Sequence, residues 1–225
     1  MKTIIFKLFL VLVIVNFCSC NNGQTGSEIV INPDDGNPID PPDYSSTNFN
    51  LLFIGNSLTY ANNLPDLVKS IGQVDGKNIL VKSVVKGNYA LIDHWGDGII
   101  QNQIESGDYD FVIVQQGPSS QPYGRELLIE YGGIISELCK KNGAKLAYYM
   151  VWPSLTYYST FDGVIFSYTQ AASATNDILC PVGEVWKAHF DATDDFSYYG
   201  QDGFHPSLKG SKVAAQIIYD SLFSE

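Results

Sequence analysis

The chain has 225 residues, 24 acidic against 13 basic side chains, and a formal net charge of −11. That sign excludes a protein built to hold nucleic acid, whose affinity rests on Lys and Arg neutralising phosphates; no basic cluster exceeds Lys140-Lys141. A composition of 45% hydrophobic and 16% charged residues is that of a globular chain, and four cysteines without paired spacing exclude a disulfide-stapled mini-domain and a zinc ribbon.

Residues 1–20 read as an export signal. Lys2 and Lys7 surround a run of Ile, Phe, Leu and Val that ends in Phe17-Cys18-Ser19-Cys20, too short and too abruptly ended for a membrane-spanning helix. Small residues before a cysteine, followed by Asn21-Asn22-Gly23, match a bacterial lipoprotein processing site in which Cys20 carries the lipid. An ordinary secretory signal cleaved nearby is the other reading. Either way the protein is exported, and a lipid at Cys20 would hold it on the cell envelope with no other membrane contact. Residues 21–47 are rich in Gly, Asn, Asp, Pro and Ser and show no apolar period, which describes a flexible linker. Their acidic residues lack the glutamate that closes a calcium loop.

The domain spans residues 48–225. Short apolar runs at Phe49–Ile54, Ile79–Val85, Phe111–Val114, Lys145–Val151 and Ile178–Val182 predict five buried strands. Between them, helical periodicity covers Leu64–Val74, capped by Asn63 with Pro65 in its first turn, then Arg125–Asn142, Phe161–Asn176 and Ser207–Phe223. A short helix is expected around Val185–Phe190, with His189 a surface or packing residue. Cys139, in a helix, and Cys180, at a strand end, are expected as buried free thiols. Strand alternating with helix implies an α/β fold, a parallel sheet covered on both faces. In such sheets ligands sit beyond the carboxyl ends of the strands, so the chemistry is sought just after each one.

Those positions hold Gly55-Asn56-Ser57-Leu58-Thr59 after the first strand, Lys86-Gly87-Asn88 after the second, and Gln115-Gln116-Gly117-Pro118-Ser119-Ser120 after the third. Near the C-terminus lies Asp202-Gly203-Phe204-His205-Pro206. A serine hydroxyl is a weak nucleophile at neutral pH and needs a base within hydrogen-bond reach, itself oriented by a third group. Ser57, His205 and Asp202 are the candidates, because an Asp-x-x-His spacing lets one short loop present both partners. Taken alone, Ser57 reads as a helix cap and Gly87 as a turn glycine, a role compatible with an oxyanion contact. His94 beside Asp93 has no third ligand at a suitable spacing, so no metal is expected and His94 is a pocket-wall or structural residue.

Together, Gly55-Asn56-Ser57-Leu58, Gly87 and Asp202-x-x-His205-Pro206 resemble the SGNH (GDSL-type) hydrolase superfamily of esterases and lipases, over the whole domain from residue 48. The resemblance implies a three-layer α/β/α, flavodoxin-like fold and a serine nucleophile with neighbouring Asp and His. It implies also an oxyanion hole made by the Ser57 amide, the Gly87 amide and an asparagine side chain of a third block. That third block departs from the pattern, since the expected Gly-x-Asn is Gly117-Pro118-Ser119. Exported hydrolases that the chain resembles carry a glutamine at this strand end, so Gln115, ahead of Gln116, is the expected replacement donor. Ser119 stays open as well, because a one-residue shift in strand end reverses the face. Leu91-Ile92-Asp93-His94-Trp95 is similar to a Leu-x-x-His-Trp stretch of the same branch.

Aromatic residues crowd the expected cleft. Tyr148 and Tyr149 alternate inside a strand and read as core, whereas Trp152, Tyr157 and Tyr158 follow the strand on the active side. Asn56, His94, Trp152 and Tyr157 are therefore the expected substrate contacts, and the expected substrate is a glycan ester, above all an O-acetylated carbohydrate. No organic cofactor is called for. A lipase or lysophospholipase on the same scaffold, and a surface lipoprotein that binds glycans without catalysis, are the competing readings.

Overall fold

The computed structural model describes residues 48–224. The export signal, the Cys20 lipidation site and the linker expected over residues 1–47 lie outside them.

Five strands form one sheet: β1 (Asn48–Gly55), β2 (Asn78–Val85), β3 (Phe111–Val114), β4 (Lys145–Tyr149) and β5 (Ile178–Cys180). All pairs are parallel and the order is β2-β1-β3-β4-β5. Central β1 carries Leu51, Leu52, Phe53 and Ile54 in succession, all fully buried, as a strand covered on both faces requires. At the edge, β2 loses that pattern and leaves Leu80 exposed.

The connections explain the layers. The chain runs from β1 through α2 (Leu64–Val74) to β2 on one side, then returns past β1 to β3 and moves the other way. Right-handed crossovers in opposite directions put their helices on opposite faces. Thus α2 packs with the C-terminal helix α8 (Leu208–Phe223), while α5 (Pro122–Lys141) and α6 (Phe161–Thr175) pack together on the other face. A further helix, α7 (Val182–Thr193), touches both α6 and α8. The result is the expected three-layer α/β/α arrangement.

The register brings the strand ends to one level. Gly55 pairs with Val85, Ile54 with Val114, Val114 with Tyr148, and Tyr149 with Cys180. The residues that follow form a single rim, and the strand order reverses between β1 and β3, where such sheets leave a crevice.

Some local expectations are corrected. Asn63 does not cap α2 through its side chain; it sits in the left-handed region at φ 55° and bonds Asp66 instead. The segment between β2 and β3 contains two short helices, α3 (Leu91–Gly96) and α4 (Ile99–Ser106), that Gly96 and Gly98 keep too short for periodicity to reveal. Helix α5 begins at Pro122, the residue type suited to a first turn, ahead of the expected Arg125. Cys139 and Cys180 are buried free thiols as expected, with burial pushing each up to about 12.

Gly210, in the first turn of α8, is where that helix meets the loop before it: a Cβ there would lie 2.2 Å from the Tyr198 carbonyl oxygen and 2.8 Å from the Trp186 ring. Gly210→Ala is expected to destabilise the domain by about 1–3 kcal/mol through overpacking. An unchanged denaturant midpoint would show that the contact relaxes freely.

Candidate active site

The rim at the β1–β3 switch is built first by the turn after β1. Asn56 leaves the strand in extended geometry, and its side-chain oxygen accepts a hydrogen bond from the Leu58 amide at 3.1 Å, starting the four-residue helix α1 (Ser57–Tyr60). This is the cap expected of an Asx residue at a helix start. It leaves Ser57 as the first helical residue, its amide without a partner among the described residues.

The opposite side of the site is the loop before α8. Asp202 Oδ1 accepts from the backbone amides of Phe204 and His205, both at 2.9 Å, closing a tight turn through Gly203 at φ 66°. The other carboxylate oxygen meets His205 Nδ1 at 2.6 Å. The free ring nitrogen, Nε2, lies 2.9 Å from Ser57 Oγ. The structure therefore brings Ser57, His205 and Asp202 into one relay, with Nδ1–H donated to the carboxylate and Nε2 open to accept from the hydroxyl. The His205 side-chain bond, reinforced by the Phe204 amide, lowers the Asp202 pKa, so the carboxylate stays charged. The imidazole is 43% and the carboxylate 53% exposed, so burial does not hold this pair in place.

Backbone contacts do. Leu155 N donates to Gly203 O at 2.8 Å, Trp152 Nε1 to Phe204 O at 2.9 Å, and Gly200 N to His205 O at 2.7 Å. Asn62, at φ 53°, reaches across from just beyond the serine turn and donates to Pro206 O at 3.0 Å and Ser211 Oγ at 2.9 Å. This clamp between the two halves of the site escaped the sequence reading; the only sign was an asparagine, tolerant of the left-handed region, just before a helix.

Several expected site residues serve other purposes. Trp152 is fully buried, stacked on Trp186 at 3.6 Å between ring centroids, and supports the histidine loop instead of contacting substrate. His94 is buried and its Nε2 bonds Gly55 O at 2.9 Å, tying α3 to the end of β1; it lines no substrate cleft. Asn56 borders the cleft, but its side chain is largely taken up within the protein: its nitrogen donates to Tyr89 O at 3.0 Å and its oxygen accepts from the Leu58 amide and from Gln115.

The glutamines are the principal correction. Gln115 is completely buried and its nitrogen donates to Asn56 Oδ1 and Gln116 O. Gln116 Nε2 donates to Ser119 Oγ at 2.7 Å and Gly124 O at 2.9 Å, and the Ser119 hydroxyl is turned to Gly117 O. Neither carboxamide presents a free N–H to the serine: Gln115 spends one on the turn after β1 and one on the Gln116 carbonyl, and Gln116 spends both on Ser119 and Gly124. Gly87 lies in the exposed turn after β2, its amide without an acceptor among the described residues.

Two adjoining hollows flank the relay. A cleft of about 380 Å³ is bordered by Ser57, Asn88, Tyr89 and Gly117. A groove of about 610 Å³ runs beside it, walled by Pro118, Pro153, Tyr157 and Phe204, with Ser119, Ser120, Ser154 and Thr160 along its edges. They share Pro118, Ser119, Gly124 and Phe204, and among the described residues no charged side chain lines either. Tyr157 is exposed and open to a ligand, whereas Tyr158 is tied to Asp191 at 2.6 Å. Among the described residues no cluster of metal-ligating side chains occurs.

Comparison with known proteins matches this architecture. A protein from Slackia heliotrinireducens assigned as an SGNH hydrolase superposes with a TM-score of 0.65 at 24% identity, over 77% of this chain and 98% of its own. A lipase/acylhydrolase from Enterococcus faecalis gives 0.62 at 15% identity, over 76% and 93%. A catalytic mutant of an acetylxylan esterase from Geobacillus stearothermophilus gives 0.57 at 18% identity, over 80% and 96%. No family profile matches the sequence, and a search of curated proteins returns no significant match. The likeness is one of fold: the chain has the three-layer α/β/α fold of SGNH hydrolases.

The buried imidazole of His94 yields a pH test. Burial, opposed in part by the bond to Gly55 O, lowers its pKa, so the folded state binds a proton there less readily than the unfolded chain. The stabilising contribution is present above the ordinary histidine range, near about pH 6.5, and is lost as pH falls through the lower folded value. The melting temperature is expected to drop on acidification from neutral pH, and less steeply in His94→Gln, whose amide can donate to the same carbonyl. Equal slopes would place the acid-sensitive group elsewhere.

Proposed function

We propose that the protein is a serine esterase that hydrolyses carboxylic esters through Ser57, His205 and Asp202. The observation that carries this reading is the unbroken contact from carboxylate to imidazole to hydroxyl at the crevice of the sheet. His205 Nε2 takes the Ser57 proton as Oγ attacks the ester carbonyl carbon, and the carbonyl oxygen becomes an oxyanion. The backbone amides of Ser57 and Gly87 are the donors assigned to it, with no glutamine side chain taking part. As the tetrahedral species collapses, protonated His205 gives its proton to the leaving alcohol, and an acyl-Ser57 remains. Water then attacks that ester with His205 as base, releasing the acid and restoring the hydroxyl. Asp202, kept ionised, holds Nδ1–H and balances the charge that the imidazole acquires.

The substrate class follows from the two hollows. The wider groove lies on the histidine-loop side, where the leaving alcohol must receive its proton, so it takes the alcohol portion. An open tyrosine ring among proline, serine and threonine side chains, without any charge, suits an uncharged carbohydrate. The smaller cleft at Ser57 takes the acyl group, which the proposal assigns as acetyl. The fold shared with an acetylxylan esterase supports the same direction. A serine-directed phosphonate is expected to label wild-type protein at Ser57 and to leave Ser57→Ala unmodified. Acetylated neutral sugars should be turned over faster than long-chain esters or lysophospholipid, and Tyr157→Ala should raise KM for the sugars while sparing p-nitrophenyl acetate. Glycan binding without labelling would replace the enzyme by a binding module, and a preference for long chains would make it a lipase.

The same proposal places the enzyme outside the cytoplasm, anchored to the cell envelope through a lipid on Cys20. Palmitate incorporation in a bacterial host is expected for the full chain and lost in Cys20→Ala; labelling unaffected by that substitution would remove the anchor.

A further inference from the structure

We infer that Gln115 is a positioning residue for the nucleophile, a buried clamp that sets the turn carrying Ser57; this rests on the reading of Ser57 as the nucleophile. A primary amide offers two donor hydrogens and two acceptor lone pairs, and here all are engaged. Gln115 Oε1 accepts from the Asn56 backbone amide at 3.0 Å and from Thr59 Oγ1 at 2.8 Å. Its nitrogen donates to Asn56 Oδ1 at 3.1 Å and to the Gln116 carbonyl oxygen.

The effect is to hold the neighbours of Ser57 on both sides. Asn56 is fixed through its amide and side-chain oxygen, Leu58 through the Asn56 side chain, and Thr59 through its hydroxyl. Asn56 passes the constraint on to the loop after β2 by donating to Tyr89 O. Only Ser57 Oγ is left to His205. The backbone has been shaped for this arrangement. Gln115 N continues the ladder by bonding Ile54 O at 2.9 Å, which places its side chain beside Gly55 one step beyond the Ile54–Val114 pair. A Cβ on Gly55 would fall 2.5 Å from Gln115 Oε1 and 2.4 Å from Thr59 Oγ1, so only glycine leaves room for the clamp. Neither Glu, which lacks the donors, nor Leu or Met, which lack all four groups, can reproduce it.

A serine displaced by about 1 Å can lose about 10²-fold in rate. Gln115→Leu is therefore expected to lower kcat for p-nitrophenyl acetate by about 10²-fold with little change in KM. Gln116→Leu, whose carboxamide serves the β3–α5 loop, should have a much smaller effect. Thr59→Val should lower kcat less, and its effect should largely vanish in the Gln115→Leu background, since both act through one network. Amide hydrogen exchange over residues 55–60 should quicken at least tenfold in Gln115→Leu and measurably in Thr59→Val, both read well below their melting temperatures. Unchanged exchange in this segment would overturn the clamp, as would independent, multiplicative losses in the double variant, which would mark a direct role for Gln115 at the oxyanion. Should Gln115→Leu not fold, Thr59→Val decides by the same exchange and kcat-against-KM readings. Activity retained in Ser57→Ala would instead reject the nucleophile, while the exchange data would still decide whether Gln115 fixes the turn.

Discussion

The contact between Ser57 Oγ and His205 Nε2 joins residues separated by 148 positions, and every other feature of the site is arranged around keeping those two loops in register. The pair is too exposed for burial to enforce the geometry, and an exposed ion pair such as Asp202–His205 is weak by itself. Rigidity has to come from beneath. The serine turn is pinned from the sheet side by Gln115. The histidine loop is pinned by Trp152, Leu155 and Gly200, and Asn62 links one to the other. Each bond is modest on its own, but a set of mutually consistent bonds on a close-packed base leaves few alternative arrangements.

That division of labour accounts for the many rim side chains whose hydrogen bonds stay inside the protein. Asn56, Gln115, Gln116 and Ser119 follow strand ends, and His94 reaches back from α3 to the end of β1, where backbone groups still need partners. They supply those partners and are largely consumed in doing so. The amides of Ser57 and Gly87, by contrast, have no hydrogen-bond partner among the described residues. Among the described residues no charged side chain lines the two hollows, despite an acidic chain, and the carboxylate of the site, Asp202, is turned to His205.

Trp152 illustrates how a residue can belong to the site without touching ligand. It comes from the extension of β4, stacks on Trp186 of α7, and holds Phe204 O with its indole N–H. Trp186 in turn packs against Gly210 at the start of α8. Helix packing on one face of the sheet is thereby connected to the orientation of His205, a mechanical link that an aromatic residue near a cleft does not announce.

The order of strands and main helices was legible because it follows from local physics. Apolar runs of strand length, helical periods and Pro or Gly at element ends need no knowledge of neighbours, and Leu64–Val74 and Phe111–Val114 appear at the expected residues. The meeting of Ser57, His205 and Asp202 was foreshadowed too, since an Asp-x-x-His loop and a serine after a strand are short-range patterns. The orientation of Gln115 and Gln116, the burial of His94 and Trp152, and the reach of Asn62 were not. Each depends on which donor or acceptor happens to stand within about 3 Å after the sheet has closed, a distance that pairs residues far apart in the chain and that no local spacing encodes.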